Sequence, residues 1–163
     1  MTTLEKLEKR IQRLEDERAI EKLMCEYWNC MDQKNWTRFA ELFTDDFVFY
    51  VRDTEEAIRG GSWFVEETQQ EFPDGVVSSH HGHQHYIDIT SDTTANAVWA
   101  LQDDLYNANT GSEYVGRAYY NNQFAKVDGD WKCKVMDFKY IRGEAVMKGH
   151  TSQCANAYKS FYL

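Results

Sequence analysis

Apolar positions at the start of the chain recur at helical spacing. Leu4, Leu7, Ile11 and Leu14 form a narrow seam, and from Ile20 the apolar face widens through Leu23, Met24, Tyr27, Trp28 and Met31. The pattern predicts one long helix over residues 3–34, opened by a Thr2/Glu5 capping box. The narrow seam suits contact with a neighbouring subunit, and the broad face suits cover over the domain's own sheet. The alternative for the seam is an exposed helix held by Glu–Lys pairs. A second helix is expected from Trp36 to Phe43, a strand over Phe47-Val48-Phe49-Tyr50-Val51, and a third helix from a Ser62 cap to about Gln70. Past the Pro73-Asp74-Gly75 turn the period falls to two. Extended stretches follow at roughly 76–90, 96–107, 113–127 and 130–142, the last pair joined by Asp128-Gly129, a strong hairpin signal.

Helices first and long strands afterwards mean α+β: a curved antiparallel β-sheet wrapped on the N-terminal helices, with room for a cone-shaped central cavity. With 163 residues and no internal repeat or linker, one domain is expected, residues 146–163 forming a C-terminal extension. Composition sharpens this. Five Trp, ten Tyr and nine Phe suit a fold that encloses a pocket for a small hydrophobic molecule, although a well-packed β-rich core would use them too. The net charge of −9 argues against nucleic acid and anionic membranes as partners. No apolar run reaches membrane-spanning length, and the amino terminus is charged and helical, so a cytoplasmic protein is expected. Cys25, Cys30, Cys133 and Cys154 lack metal-site or CxxC spacing and read as free thiols.

Candidate chemistry concentrates in Ser79-His80-His81-Gly82-His83-Gln84-His85, which holds four of the five histidines. His81, His83 and His85 alternate correctly for a metal on one strand face, but the spacing names no carboxylate to complete a site. The other readings are a solvated strand of hydrogen-bonded histidines, or one catalytic histidine among bystanders. Strand parity separates His80 from the other three, and Gly82 offers a bend or bulge that could re-aim it. Asp32, between Met31 and Trp36, is a carboxylate in apolar surroundings that needs a partner; Lys34 or backbone would serve. Asp103 shares a strand face with Trp99 and Leu101 and should point inward, with Asp104 pointing away.

Several short motifs occur in order: Tyr27-x4-Asp32-x3-Trp36, Leu42-Phe43-x-Asp45-Asp46, His80-x-Gly82-His83, Trp99-x3-Asp103, Asp128-Gly129-x-Trp131 and Tyr140-Ile141-Arg142. Over residues 4 to about 145 this order resembles the SnoaL-like branch of the nuclear-transport-factor-2-like cone fold. Within it the chain looks most like bacterial bile-acid dehydratases, with looser similarity to scytalone dehydratase and a lindane dehydrochlorinase. The resemblance implies a cofactor-independent dehydratase acting on a bulky alicyclic, steroid-like or aromatic substrate. Its catalytic residues would be His80 rather than His83, with Asp32 and Tyr27. Asp103 would follow as the buried acid and Arg142 as a late arginine that either neutralises it or holds a polar substrate group, with His83, Trp99 and Tyr50 as further substrate contacts. Departures from the pattern at His81, Gln84, His85 and Tyr119-Tyr120-Asn121-Asn122 bear on substrate shape. Elimination needs a proton taken and a proton given; a histidine, with a reference pKa of about 6.5, can do both. No metal, nicotinamide or flavin is called for, and no Gly-rich phosphate loop is present. A cyclase, a ketosteroid-type isomerase or a non-catalytic ligand-binding module would use the same cavity. The family habit and the Leu4–Leu14 seam together imply a homo-oligomer, a trimer before a dimer.

Overall fold

The computed structural model describes residues 2–51, 57–147 and 150–152. Three helices lead: α1 (Thr3–Gln33), α2 (Trp36–Ala40) and, after strands β1 (Phe43–Val51) and β2 (Ala57–Arg59), α3 (Gly61–Glu71). Strands β3 (Val76–Ser91), β4 (Thr94–Asn107), β5 (Ser112–Val127), β6 (Asp130–Met147) and β7 (His150–Ser152) follow. They form one sheet in the order β2-β1-β6-β5-β4-β3, with β7 added on β6. Every pairing is antiparallel except β1 with β6, which is parallel, so the sheet is mixed at that edge. Among the described residues no helix is long and apolar enough to cross a membrane.

The α1 cap forms as its sequence predicts: Thr2 Oγ1 accepts from the Glu5 backbone N–H, and the Thr2 backbone N–H donates to Glu5. The helix is about 45 Å long by its rise per residue. It serves two environments. Leu4, Leu7, Ile11 and Leu14 are 47–65% exposed, whereas Ile20, Leu23, Met24, Tyr27, Trp28 and Met31 are buried against the sheet. The change of environment falls at Asp16, itself buried, whose Oδ1 accepts from Lys126 Nζ (2.6 Å), Trp131 Nε1 (2.8 Å) and Gln12 Nε2 (3.3 Å). Lys126 also lies over the Trp131 ring, 5.0 Å from its centroid. Asp16 thereby ties the helix to the β5–β6 hairpin. That hairpin turns through Asp128 (φ 52°) and Gly129 (φ 95°) between paired Val127 and Asp130, the two positive φ values its sequence anticipates.

Four expectations need correction. The helix from Trp36 stops at Ala40 rather than Phe43, because the Leu42 carbonyl accepts from Cys133 N–H and Phe43 already pairs with β6. The third helix is capped by Gly60 without a side-chain bond, not by Ser62. The sheet carries two short strands, β2 and β7, that the pattern left out. Gly82 makes no bulge: the register slips between His83 and Tyr86, where Gln84 adopts φ 49°. That slip reverses the parity, so Tyr86 is exposed while Ile87 and Ile89 pack on the core. Gly82 serves a different need, since a Cβ there would lie 1.8 Å from Trp28 Cη2. Cys30 and Cys133 are buried free thiols and Cys25 is exposed; Cys154 and most of the predicted C-terminal extension lie outside the described residues.

Burial pushes the Asp16 carboxyl upward, but hydrogen bonds from Lys126 and Trp131 outweigh it and hold the group below its usual 3.8. A carboxylate depressed in the folded state stabilises above its unfolded pKa and loses that contribution as pH falls through the folded value. Replacement Asp16→Ala is therefore expected to cost about 2–4 kcal/mol at neutral pH and to flatten the acid limb of the stability profile. Urea titrations between pH 2 and 7, ranges chosen to span roughly the carboxylate region, measure both.

Candidate active site

Helix α1 ends by running into strand β3. Lys34 turns left-handed (φ 56°) to close the helix, and its Nζ donates to the Val76 carbonyl at 2.5 Å. The last turn of α1 is thereby fixed over the start of β3, where Val76, Ser78 and His80 point inward by strand alternation. Asp32, in the last turn of the helix, meets three donors. Its Oδ1 accepts from Ser78 Oγ (2.8 Å) and His80 Nδ1 (2.6 Å), and its Oδ2 accepts from the His80 backbone N–H (3.0 Å). Burial raises the Asp32 carboxyl, yet the His80 side-chain and backbone bonds and Ser78 more than compensate, so it is held below its ordinary value. An ionised carboxylate accepts only, so Nδ1 carries the proton and Nε2 is left with its lone pair in the neutral ring. The imidazole is only 4% exposed and lines a cavity.

That cavity, about 190 Å³, lies between α1, α3 and the inner sheet face. Its wall is mostly rings: Tyr27 from α1, Phe49 from β1, Phe64 from α3, Phe72 beyond it, Tyr120 from β5 and Phe138 from β6, with half-exposed Trp63 at the rim. Phe72 packs 5.8 Å from the His80 ring centroid. The Tyr27 and Tyr120 rings meet edge to face at 6.0 Å. Burial raises the Tyr120 phenol, so it remains an O–H donor.

Three carboxyl groups also line the cavity. Asp103 pairs with His80 across β3 and β4 and is 2% exposed. Its Oδ2 accepts from Tyr140 Oη at 2.8 Å, while its Oδ1 has no hydrogen-bond partner among the described residues. Burial pushes this carboxyl upward. The group fits because its neighbour on β5 is Gly116, where a Cβ would lie 1.8 Å from Asp103 Oδ1. Glu67 and Glu71, one helical turn apart on α3, share the cavity with His80. Burial, and then the charge of Glu67, push Glu71 up to about 8. Among the described residues no Lys or Arg lines this space.

The structure therefore brings His80, Asp32, Tyr27 and Asp103 together. It does not do so for the other four candidates. Arg142, expected to neutralise Asp103, is exposed on β6 and pairs with Glu144; Tyr140 occupies the place beside Asp103 instead. His83 lies on the outer strand face, its ring stacked on His81 at 6.1 Å. Trp99 is buried but does not line the cavity, packing instead on Trp28 (6.2 Å), Phe124 (6.0 Å) and His85 (5.9 Å). Tyr50 points outward because Phe49, its neighbour on β1, takes the inward position. His85 pairs with Glu21 at 3.0 Å, and among the described residues no three potential metal ligands converge. Sequence reasoning passed over Ser78, Gly116, Tyr140, Glu67 and Glu71. Ser78 was detectable by its shared parity with His80, and the two glutamates by their helical spacing from Phe64.

A profile of the family described as SnoaL-like domain matches residues 12–137. Solved structures share the fold. One, provisionally assigned as a scytalone dehydratase, from Novosphingobium aromaticivorans, superposes with a TM-score of 0.75 at 21% identity over 90% of this chain and 97% of that one. A hexachlorocyclohexane dehydrochlorinase from Novosphingobium barchaimii gives 0.72 at 16% identity over 88% and 97%. The ActVI-ORFA protein of Streptomyces coelicolor gives 0.66 at 12% identity over 77% and 96%. At these identities the likeness speaks for the fold alone.

A carboxyl whose folded pKa is raised supports folding below its unfolded value and ceases to as pH climbs through the folded one. Glu71 is thus expected to make the protein lose stability as pH rises from about 4.5 to about 8. Replacement Glu71→Gln should remove that slope while leaving stability near pH 5 little changed, as thermal melts across the range will record.

Proposed function

The chain belongs to the SnoaL-like domain family, and from that premise we propose that it is a cofactor-independent dehydratase acting on a hydrophobic alicyclic, steroid-like or aromatic substrate. One observation carries the reading: a buried imidazole oriented by a partly buried carboxylate, with its second nitrogen available at the wall of an aromatic cavity. In elimination next to a carbonyl, His80 Nε2 takes the carbon-bound proton. Asp32 keeps the tautomer fixed and stabilises the imidazolium as it forms. Tyr27, buried and facing the same space, is the donor for the carbonyl oxygen as negative charge builds on it, a contact worth about 2–4 kcal/mol when well aligned. The rings lower the polarity of the cavity wall, which strengthens each of these interactions.

The dyad would also serve an isomerase or cyclase, which shifts a proton or closes a ring without losing water. Asp103, paired with His80 across the strands and pushed upward by burial, also suits an isomerase, in which a second acid beside the base donates to an enolate. Product mass distinguishes them: a dehydratase product is lighter by one water, and an isomerase product is not. A bound ligand that survives incubation unchanged would instead indicate a binding module.

The exposed Leu4–Leu14 seam lies beyond the part of α1 that the sheet covers, and it supports association into a homo-oligomer, for which a trimer is the proposal. Light scattering of the full chain should give three times the monomer mass, and a monomer would overturn it.

For the chemistry, β-hydroxycyclohexanone is a suitable probe, because loss of water gives a conjugated, ultraviolet-absorbing enone. His80→Ala and Asp32→Ala are expected to keep a native circular dichroism spectrum and lower turnover by about 100-fold or more. Wild-type rates in either variant would remove the dyad mechanism.

A further inference from the structure

The dyad supplies one proton-transfer group, and elimination of a hydroxyl needs two proton events. Glu71, like Glu67, Asp103 and Tyr120, is a titratable group in the cavity that the dyad reading leaves unused. It sits at the C-terminal end of α3, directly before Phe72, whose ring lies against His80. Its side chain lines the same cavity as the imidazole. The groups around that space, element by element, are Glu67 on α3, His80 on β3, Asp103 on β4, Tyr27 on α1 and Tyr120 on β5, while β1 and β6 contribute Phe49 and Phe138. No cation among the described residues pairs with Glu71. A carboxylate there would face a second carboxylate at i−4 and a wall of rings with nothing to balance it.

Resting on the elimination reading above, we propose that Glu71 is a second catalytic residue of this cavity, the acid that protonates the departing hydroxyl while His80 removes the carbon-bound proton. The step balances within the two groups. The C–H electron pair becomes the new π bond, the C–O bond breaks toward oxygen, the Glu71 proton completes a water molecule, and His80 is left as imidazolium. Return of that proton from His80 to Glu71 through solvent resets the site. The push of Glu71 up to about 8 is what this role requires, since a carboxyl in its ordinary range would hold no proton at neutral pH. Glu67 is a positioning residue in this scheme. Its charge one turn away keeps the Glu71 proton in place.

Two ketones that differ only in the leaving group test the assignment. Chloride departs without a proton, so β-chlorocyclohexanone needs the base but not the acid, whereas β-hydroxycyclohexanone needs both. Glu71→Gln keeps a hydrogen-bond donor and removes the transferable proton. It is expected to slow the hydroxy ketone by about 100-fold or more and to leave the chloro ketone little changed above its uncatalysed rate. A variant that slows both ketones equally, or neither, overturns the proposal. His80→Ala should slow both, and wild-type rates in that variant would sink the dyad reading separately. Carboxyl-carbon NMR of the free protein adds a substrate-independent arm. One glutamate titrating near 8, absent in Glu71→Gln and lowered in Glu67→Gln, supports the role; glutamates that all titrate in the ordinary range overturn it.

Discussion

A single carboxylate joins the two halves of this fold and its chemistry. Asp32 belongs to the last turn of α1, and its three donors, Ser78 Oγ, His80 N–H and His80 Nδ1, all belong to the first residues of β3. The bonds therefore dock helix on sheet and orient an imidazole at the same time. Lys34 reinforces the docking two residues later through the Val76 carbonyl. Even a partly buried carboxylate is costly unless its acceptor sites are filled, and here donors from the strand fill them. The histidine cannot rotate without leaving Asp32 short of a partner. Orientation of the candidate base is thus a consequence of satisfying the helix end.

The cavity follows from the same docking. With α1 fixed at β3 and tied to the β5–β6 hairpin through Asp16, the helix spans the concave sheet face. The third helix closes the remaining side through Phe64, packed on Phe39, Phe43, Phe47 and Phe49. Rings hold the walls apart because they are rigid and cannot collapse into the space as flexible aliphatic chains would. Low polarity then sets the protonation of what remains inside. Asp103 and Glu71 are both pushed toward their neutral forms by burial, whereas Asp32, one contact further back, stays ionised because strand donors reach it. Carboxyls of one chemical type are thus shifted in opposite directions within a single site.

Much of this was legible in the chain, and the limits have physical causes. The capping box, the seam-to-face transition of α1, the Asp128-Gly129 turn and the inward Asp103 are local properties, and they read correctly. The family resemblance singled out Tyr27, Asp32 and His80, which periodicity alone could not choose among four clustered histidines. Errors came where a distant partner decides. The parallel pairing of β1 with β6 ends the Trp36 helix early, and nothing in residues 36–43 announces that Cys133 will claim the Leu42 carbonyl. Gly82 looked like a bulge and is a seat for Trp28, fifty-four positions away, a requirement visible only once the helix lies on the sheet. Arg142 looked like a partner for Asp103, yet the Tyr140 hydroxyl, two residues earlier on the same strand, already holds that oxygen.

The distribution of unfavourable features is itself an argument about function. The chain tolerates an unpartnered Asp103 oxygen and a glutamate pair with no described cation around one small space. A sequence selected for stability alone would have replaced them with apolar side chains of similar size. Other buried polar groups are provided for: Asp16 has three donors, Thr68 donates to the Phe64 carbonyl, and Ser78 serves Asp32, although Thr44 Oγ1 and Asn122 Oδ1, outside the cavity lining, also lack a hydrogen-bond partner among the described residues. An orphaned Asp103 oxygen on the sheet side and a glutamate pair on α3, around the same space as an oriented imidazole, point to groups kept for a ligand that completes their hydrogen bonds. Gly116 strengthens the point, because only a residue without a side chain leaves room for the Asp103 carboxyl there. The strand gives up packing at that position to keep an acid in the cavity, a choice that makes sense only if the acid meets something the free protein lacks.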